Sequence, residues 1–310
     1  MWILVKLWGY RERRLLMNIV ITGASGFIAT HLRNELEENN NLICLSTTFD
    51  HEGFIKLNSG YDDIELKLAD KEVDVIIHLA SVIPTNFEQA SFHEVFMPNV
   101  KMMENLRNLC IEKKVKRFIY MSTYGTIEMV DGKERVRDYY TLSKVMGEYI
   151  CSMMEYKGIQ TASLRLPSPY GVNNKTKSVI NLFIDKALKN EDINVYGSGK
   201  REQNFIYVKD VVNAIKHSIN MDNNVSGVYD IVSEKNTSML ELAEAIKSIT
   251  NSSSNIVVGK CNDPQENYRP IYNYQKAAKD FGYKPTYSIF DGLKDYIEGC
   301  FSKDEDSNNS

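Results

Sequence analysis

The stretch MNIVITGASGFIATHL, Met17 to Leu32, opens as an apolar strand over Asn18–Thr22, turns through glycine and continues with helical spacing over Phe27–Leu36. Gly23 suits the tight turn, and Gly26 lets a backbone come close to a phosphate. Ala29 keeps helix and strand near each other, while the unpaired N–H groups of the helix start face outward as an anion site. This is the setting a dinucleotide fingerprint requires. The spacing is G-x-x-G-x-x-A, not G-x-G-x-x-G, so by itself it also fits a plain strand–turn–helix.

Around this unit, strands and helices alternate. Leu42–Ser46, Val73–Ala80, Arg117–Met121 and Thr161–Leu166 read as strands, and Phe92–Lys113 and Tyr140–Tyr156 carry helical periodicity. Near-continuous apolar strands between helices predict an α/β fold, a doubly wound parallel sheet covered on both faces. After Gly171 the rhythm changes. A helix at Ser178–Lys189, strands near Ile193–Tyr196 and Phe205–Val208, and a helix at Met239–Ile249 predict a smaller interleaved C-terminal substrate lobe. The expected division is 17–170 for the dinucleotide-binding domain, with 204–235 partly returning to it, and 171–203 plus 236–300 for the lobe. The polar tail 301–310 reads as disordered. Residues 1–16, MWILVKLWGYRERRLL, have a short apolar run broken by Lys6 and no small-residue cleavage site. They read as an extension outside the core; a membrane-surface helix and a packing arm are the other readings.

The 310 residues are 43% hydrophobic and 25% charged, with a formal net charge of −4. That balance gives no general attraction for nucleic acid, so an anionic ligand needs locally placed cations. Five scattered cysteines without a C-x-x-C pair argue against zinc or a disulfide framework and suit a reducing cytoplasm. No apolar run approaches the roughly 20 residues of a membrane span. His31, His51, His93 and His217 have no spacing partner for a metal, and none is expected.

Tyr140-Thr-Leu-Ser-Lys144 puts a phenol and an ammonium four residues apart, on one helical face. Alone, Y-x-x-x-K is usually a solvated helix face. Here it follows Ser122-Thr123 at the end of an apolar strand, where α/β proteins place ligands. With TGASGFIA (22–29), DVIIHLAS (74–81), PNVKMMENL (98–106), MSTYG (121–125), YYTLSK (139–144), LRLPSPYG (164–171) and GSGKREQNFIYVKDV (197–211) in this order, the chain resembles the extended short-chain dehydrogenase/reductases, the NAD-dependent epimerase/dehydratase family. The likeness runs from Met17 to about Gly299.

The resemblance implies a Rossmann-type domain, a homodimer joined through the helices near 92–113 and 140–157, and hydride transfer between a nicotinamide and a sugar carbon. Thr123, Tyr140 and Lys144 are the expected catalytic residues. Gly23, Ser25, Gly26, Phe27, Ile28, Ser46, Asn58, Leu79, Ala80, Ser81, Asn99 and Pro167 would bind the cofactor together with Tyr140 and Lys144. Ser168, Arg201 and Arg269 would bind a nucleotide-diphosphate sugar. A free tyrosine has a pKa of about 10, so a nearby Lys144 cation is expected to lower Tyr140 toward a working base. Ser122 is the alternative to Thr123, because Tyr124-Gly125 follows at once. Those two residues replace the Asp-Glu of sugar dehydratases, which disfavours dehydration. Val172-Asn173-Asn174 stand where a combined epimerase-reductase would have histidine.

A 4-epimerase and a 4-ketoreductase remain. An oxidoreductase on a non-nucleotide alcohol or ketone, or a non-catalytic dinucleotide sensor, is the alternative class. Cofactor choice turns on the end of the second strand. Ser46 replaces the aspartate of NAD-specific relatives, and Ser46, Thr47 and Thr48 could hydrogen-bond a 2′-phosphate, a slight lean to NADP over NAD.

Overall fold

The structure, a computed structural model, describes residues 16–49, 51–124, 128–130, 133–222 and 224–308. The expected extension at 1–16 lies outside these residues except for Leu16. The apolar run before the glycine turn is strand β1 (Met17–Thr22), and the amphipathic segment after it is helix α1 (Phe27–Leu36). The next elements in order are β2 (Asn40–Ser46), β3 (Phe54–Lys56), β4 (Val75–His78), α2 (Met97–Glu112), β5 (Arg117–Thr123), α3 (Tyr139–Glu155) and β6 (Gln160–Leu166). Then come β7 (Ser168–Tyr170), α4 (Val179–Leu188), β8 (Ile193–Val195), β9 (Phe205–Tyr207), α5 (Val208–Ile219) and β10 (Gly227–Asp230). The chain closes with α6 (Met239–Ile249), β11 (Ile256–Val258), α7 (Gln275–Phe281) and α8 (Ile289–Asn308).

Among the described residues a seven-stranded sheet runs in the order β10-β6-β5-β4-β1-β2-β3, every pair parallel. Alternate residues of β1 go to opposite faces. Ile19 and Ile21 pack with Val211 and Ile215 of α5, and Val20 packs with Leu106 of α2 and Met154 of α3. Both faces are thus covered, which is why the central stretches of β1, β4 and β5 are largely apolar. Helix α3 comes unusually close to β5 at Gly147, where a Cβ would lie 2.3 Å from the Tyr120 hydroxyl. The strand order reverses between β1 and β4, and a crevice opens beyond their carboxyl ends.

A second core gathers Tyr170, Ile180, Phe183, Val195, Phe205, Leu242, Ile246 and Leu293. Strand β9 pairs with β7 and β8 with β11, both parallel, so this lobe is woven from separate stretches of chain. Four local expectations differ from the structure. Strand β4 is shorter than Val73–Ala80, because Leu79 and Ala80 leave the sheet to line the crevice. The segment Phe92–Phe96 is a π-helical turn before α2, with Pro98 in the first turn of α2 supplying no N–H. The short edge strand β3 adds to β2. The backbone of 301–308, expected to be disordered, is the continuation of α8. No described helix is long and apolar enough to cross a membrane.

Candidate functional site

At the switch point lies a cavity of about 1520 Å³. Single-ligand pockets run to about 1,000 Å³, so this one has room for two. One end is built on the head of α1. Gly23 has φ +62°, and a Cβ there would sit 2.9 Å from the Ala80 N and Cα. Gly26 is the N-cap and offers no side chain to the first turn, so the N–H groups there remain for an anion. Ser25, Gly26, Phe27 and Ile28 line this end with Leu79, Ala80 and Pro167. A cradle without side chains at a helix N-terminus fits the pyrophosphate of a dinucleotide.

The other end is carried by β5 and α3. Asp138 caps α3, its carboxylate accepting from the Thr141 backbone N at 2.8 Å and from the Thr141 hydroxyl at 3.0 Å. This fixes Tyr140 in the first turn, aimed into the cavity, with Lys144 one turn further. Thr123 and Ser81 line the same space. Ser122 lines it too, but its hydroxyl is committed to Glu148 at 2.6 Å. Phe87 meets the Tyr140 ring edge-on, with centroids 5.4 Å apart.

The electrostatics differ from the expectation. Burial pushes the Tyr140 phenol up to about 12, opposed by a hydrogen bond with Ser81 and assisted by Asp138. Burial pulls the Lys144 ammonium down to about 7, with Glu148 opposing. Lys144 donates to the Met121 carbonyl at 2.9 Å and stands over the Tyr140 ring, 5.7 Å from its centre. Burial therefore sets the direction of both shifts.

Other sequence-derived positions separate into groups. Asn99 does not line the cavity; it lies behind the wall. Its amide accepts from Val82 N at 2.7 Å and donates to Val82 O and the Ser143 hydroxyl, both at 3.1 Å, tying the 81–82 loop to α3. Ser46 reaches the cavity but is 1% exposed. Its oxygen accepts from Thr48 N at 3.2 Å and Phe49 N at 3.0 Å, and Ser25 lies 3.3 Å away. Its hydroxyl thus shapes the turn, and the lean to NADP loses that support. Asn58 is exposed and outside the lining, its neighbours Ser59, Gly60 and Tyr61 taking that place.

Ser168 lines the cavity and accepts from the Gln203 amide. Arg201 and Arg269 are not brought there. Arg201 is paired with Asp263 at 2.9 Å and bonded to Gln265, and Arg269 is paired with Glu202 at 3.2 Å. Residues not offered as ligands from the sequence line the cavity: Asn173, Asn174, Lys175 and Thr176 after Gly171, and Arg137 beside the α3 cap. A run of small polar residues after a Tyr-Gly turn was the available signal. Tyr61 was also missed. It is buried beneath the glycine turn and hydrogen-bonds Thr22.

Residues 19–232 match the model of the NAD dependent epimerase/dehydratase family. A Methanocaldococcus jannaschii protein provisionally named UDP-glucose 4-epimerase is 30% identical, the match covering 89% of this chain and 96% of that one. A UDP-N-acetyl-alpha-D-glucosaminuronate decarboxylase of Bacillus cytotoxicus is 29% identical over 77% of this chain and 82% of its own. The fold is that of the Bacillus cereus UDP-glucuronic acid 4-epimerase solved with UDP-glucuronic acid and NAD. That structure has a TM-score of 0.78 and 22% identity, and the match covers 92% of this chain and 100% of that one. A family match over most of the chain, on a doubly wound sheet with its glycine turn at the cavity, places this protein in the NAD-dependent epimerase/dehydratase family, as an enzyme of the extended short-chain dehydrogenase/reductase type.

Proposed function

We propose that this enzyme is an NAD-dependent 4-epimerase of nucleotide-diphosphate sugars. One observation carries the reading: Thr123, Tyr140, Lys144 and Ser81 face the same cavity as the bare head of α1. Gly23, Ser25, Gly26, Phe27 and Ile28 would hold the pyrophosphate, and Lys144 with Tyr140 the nicotinamide half. Bound there, NAD supplies a hydride acceptor and a positively charged ring. Tyr140 exchanges the proton of the sugar hydroxyl, and Thr123 holds the same oxygen by a hydrogen bond. Asn99 keeps the 81–82 loop and α3 in register, so that Ser81 can bond the phenol. The names of the relatives support a UDP-sugar as substrate.

A 4-ketoreductase is the second reading. It is favoured by Thr47 and Thr48, exposed at the cavity where a carboxylate would discriminate against NADP. The diphosphate would meet Lys175 and the polar 173–176 loop, with Arg201 and Arg269 reaching it only if their ion pairs open. A second copy of the chain is the partner we propose, on the apolar stripe formed by Met146, Tyr149 and Met153 of α3 and Tyr156 at its C-cap. The scattered cysteines, with no C-x-x-C pair in the sequence, support a reducing compartment, and we place the enzyme in the cytoplasm.

The test is incubation of the purified protein with UDP-glucose, UDP-N-acetylglucosamine, UDP-glucuronic acid and a UDP-4-keto sugar, each with NAD or NADPH, with products resolved by NMR. A 4-epimer formed with only catalytic NAD supports epimerisation. Turnover only of a 4-keto sugar with stoichiometric NADPH replaces it with reduction, and no product from any nucleotide sugar rejects both.

A further inference from the structure

We propose that Glu148, held against the sheet by Ser122 and Arg165, is a positioning residue that keeps the Lys144 ammonium charged in the cavity. The inference rests on the reading of Lys144 as a working cation. Tyr140, Lys144 and Glu148 follow one another at four-residue intervals on α3, so their side chains share one face, about 5–6 Å apart at Cβ. Lys144 is buried at 4% exposure, and an isolated ammonium in such surroundings loses its proton. Among the described residues, its neighbours on the other elements carry no full negative charge. From β5 it meets the Met121 carbonyl and the face of Tyr120, 5.1 Å from the ring centre, with the Ser122 hydroxyl turned away to Glu148. From β4 the facing group is His78, buried and neutral. On its own helix Tyr140 is a protonated phenol. That leaves Glu148 as the counter-charge, and it is the group that opposes the loss of the proton.

Glu148 is in turn secured on three bonds. One carboxylate oxygen accepts from Ser122 Oγ at 2.6 Å and Arg165 Nε at 2.8 Å, and the other from Arg165 Nη2 at 2.7 Å. Asp230, at the end of β10, acts on Arg165 from the far side, and its carboxylate accepts from Asn273 N at 3.2 Å. Charges of alternating sign therefore run Lys144, Glu148, Arg165, Asp230 from the cavity wall across the sheet end. Buried ion pairs add little net stability over apolar packing. Beside a buried lysine, this pair has an electrostatic consequence instead: Arg165 holds the carboxylate at the right place and divides its field with Lys144.

The test is NMR titration of isotope-labelled lysine in the full chain, with the Lys144 signal identified by its loss in Lys144→Met and folding followed by circular dichroism. In Glu148→Gln the Lys144 midpoint falls by roughly one pH unit. In Glu148→Asp it returns toward the wild-type value. In Arg165→Gln, where the carboxylate loses its competing cation, it rises. An unchanged midpoint in Glu148→Gln, or a fall in both Glu148→Gln and Arg165→Gln, overturns the proposal. Should Glu148→Gln not fold, Arg165→Gln decides alone: a rise supports the proposal and any other result overturns it. The titration needs no substrate. Midpoints that move as expected in a protein yielding no 4-epimer would sink the reaction and leave the electrostatic assignment standing.

Discussion

Lys144 stands over the face of Tyr140, 5.7 Å from the ring centre, and gives its hydrogen bond to the Met121 carbonyl at 2.9 Å. The ammonium thus lies against the electron-rich face of the phenol ring. A phenol at about 12 rests protonated, and it becomes a base only as positive charge gathers against it.

Tyr140→Phe keeps the ring packed on Phe87 and removes the hydroxyl proposed to carry the proton. Turnover of the nucleotide sugar is expected to fall by roughly 10²–10⁴ while NAD binding persists. Steady-state kinetics alongside a fluorescence binding titration checks this, and near-normal turnover would remove Tyr140 from the proposed role.

Gly23 is squeezed between its own backbone conformation and Ala80. A Cβ at Gly23→Ala would press on main-chain atoms that cannot swing aside, at a φ that L-residues rarely adopt. A loss of about 1–3 kcal/mol and failure to bind NAD are expected. Thermal melts with and without NAD measure both; a variant that NAD stabilises as well as the wild type contradicts the close-approach argument.

His78 is buried in the sheet, with Nδ1 2.7 Å from the Thr22 hydroxyl. Burial pulls its imidazole down to about 3, with the Lys144 charge acting in the same direction. The unfolded chain takes up the proton near 6.5 and the folded chain does not, so acid favours unfolding. The contribution is fully present above pH 6.5 and is lost as pH falls from there toward 3, by about 1.4 kcal/mol per unit. Urea denaturation at stepped pH is expected to show a shallower decline in His78→Gln. Parallel declines would show that His78 takes up its proton equally in the folded and unfolded chain.

The stripe on α3 leaves Tyr149 at 64% and Tyr156 at 92% exposure. If a second copy covers it, the double variant Tyr149→Glu, Met153→Glu sediments as a monomer where the wild type sediments as a dimer. A monomeric wild type at micromolar concentration ends that reading.

Much of the molecule was written in contiguous residues. The strand, turn and helix of Met17–Leu36 follow from apolar runs, a glycine at positive φ and helical spacing, all local properties. The same holds for Tyr140 and Lys144, because one helix places both on one face and the Asp138 cap sets where that helix begins. Gly23, Gly26, Leu79, Ala80 and Thr123 reach the cavity because strand ends in a parallel sheet point to the same side.

What the sequence could not decide depends on partners distant along the chain. The sequence offers Arg201 and Arg269 as diphosphate ligands, and only the fold sets Asp263 and Glu202 beside them. Ser46 looked like a phosphate donor until its hydroxyl was taken by the turn it ends. The balance between Tyr140 and Lys144 is of the same kind. Spacing alone predicts attraction between a cation and a phenol, but burial by β5 and the 81–87 loop sets both proton affinities. Local patterns determine backbone and facing, whereas the charge state and availability of a side chain depend on which distant residues the tertiary structure places against it.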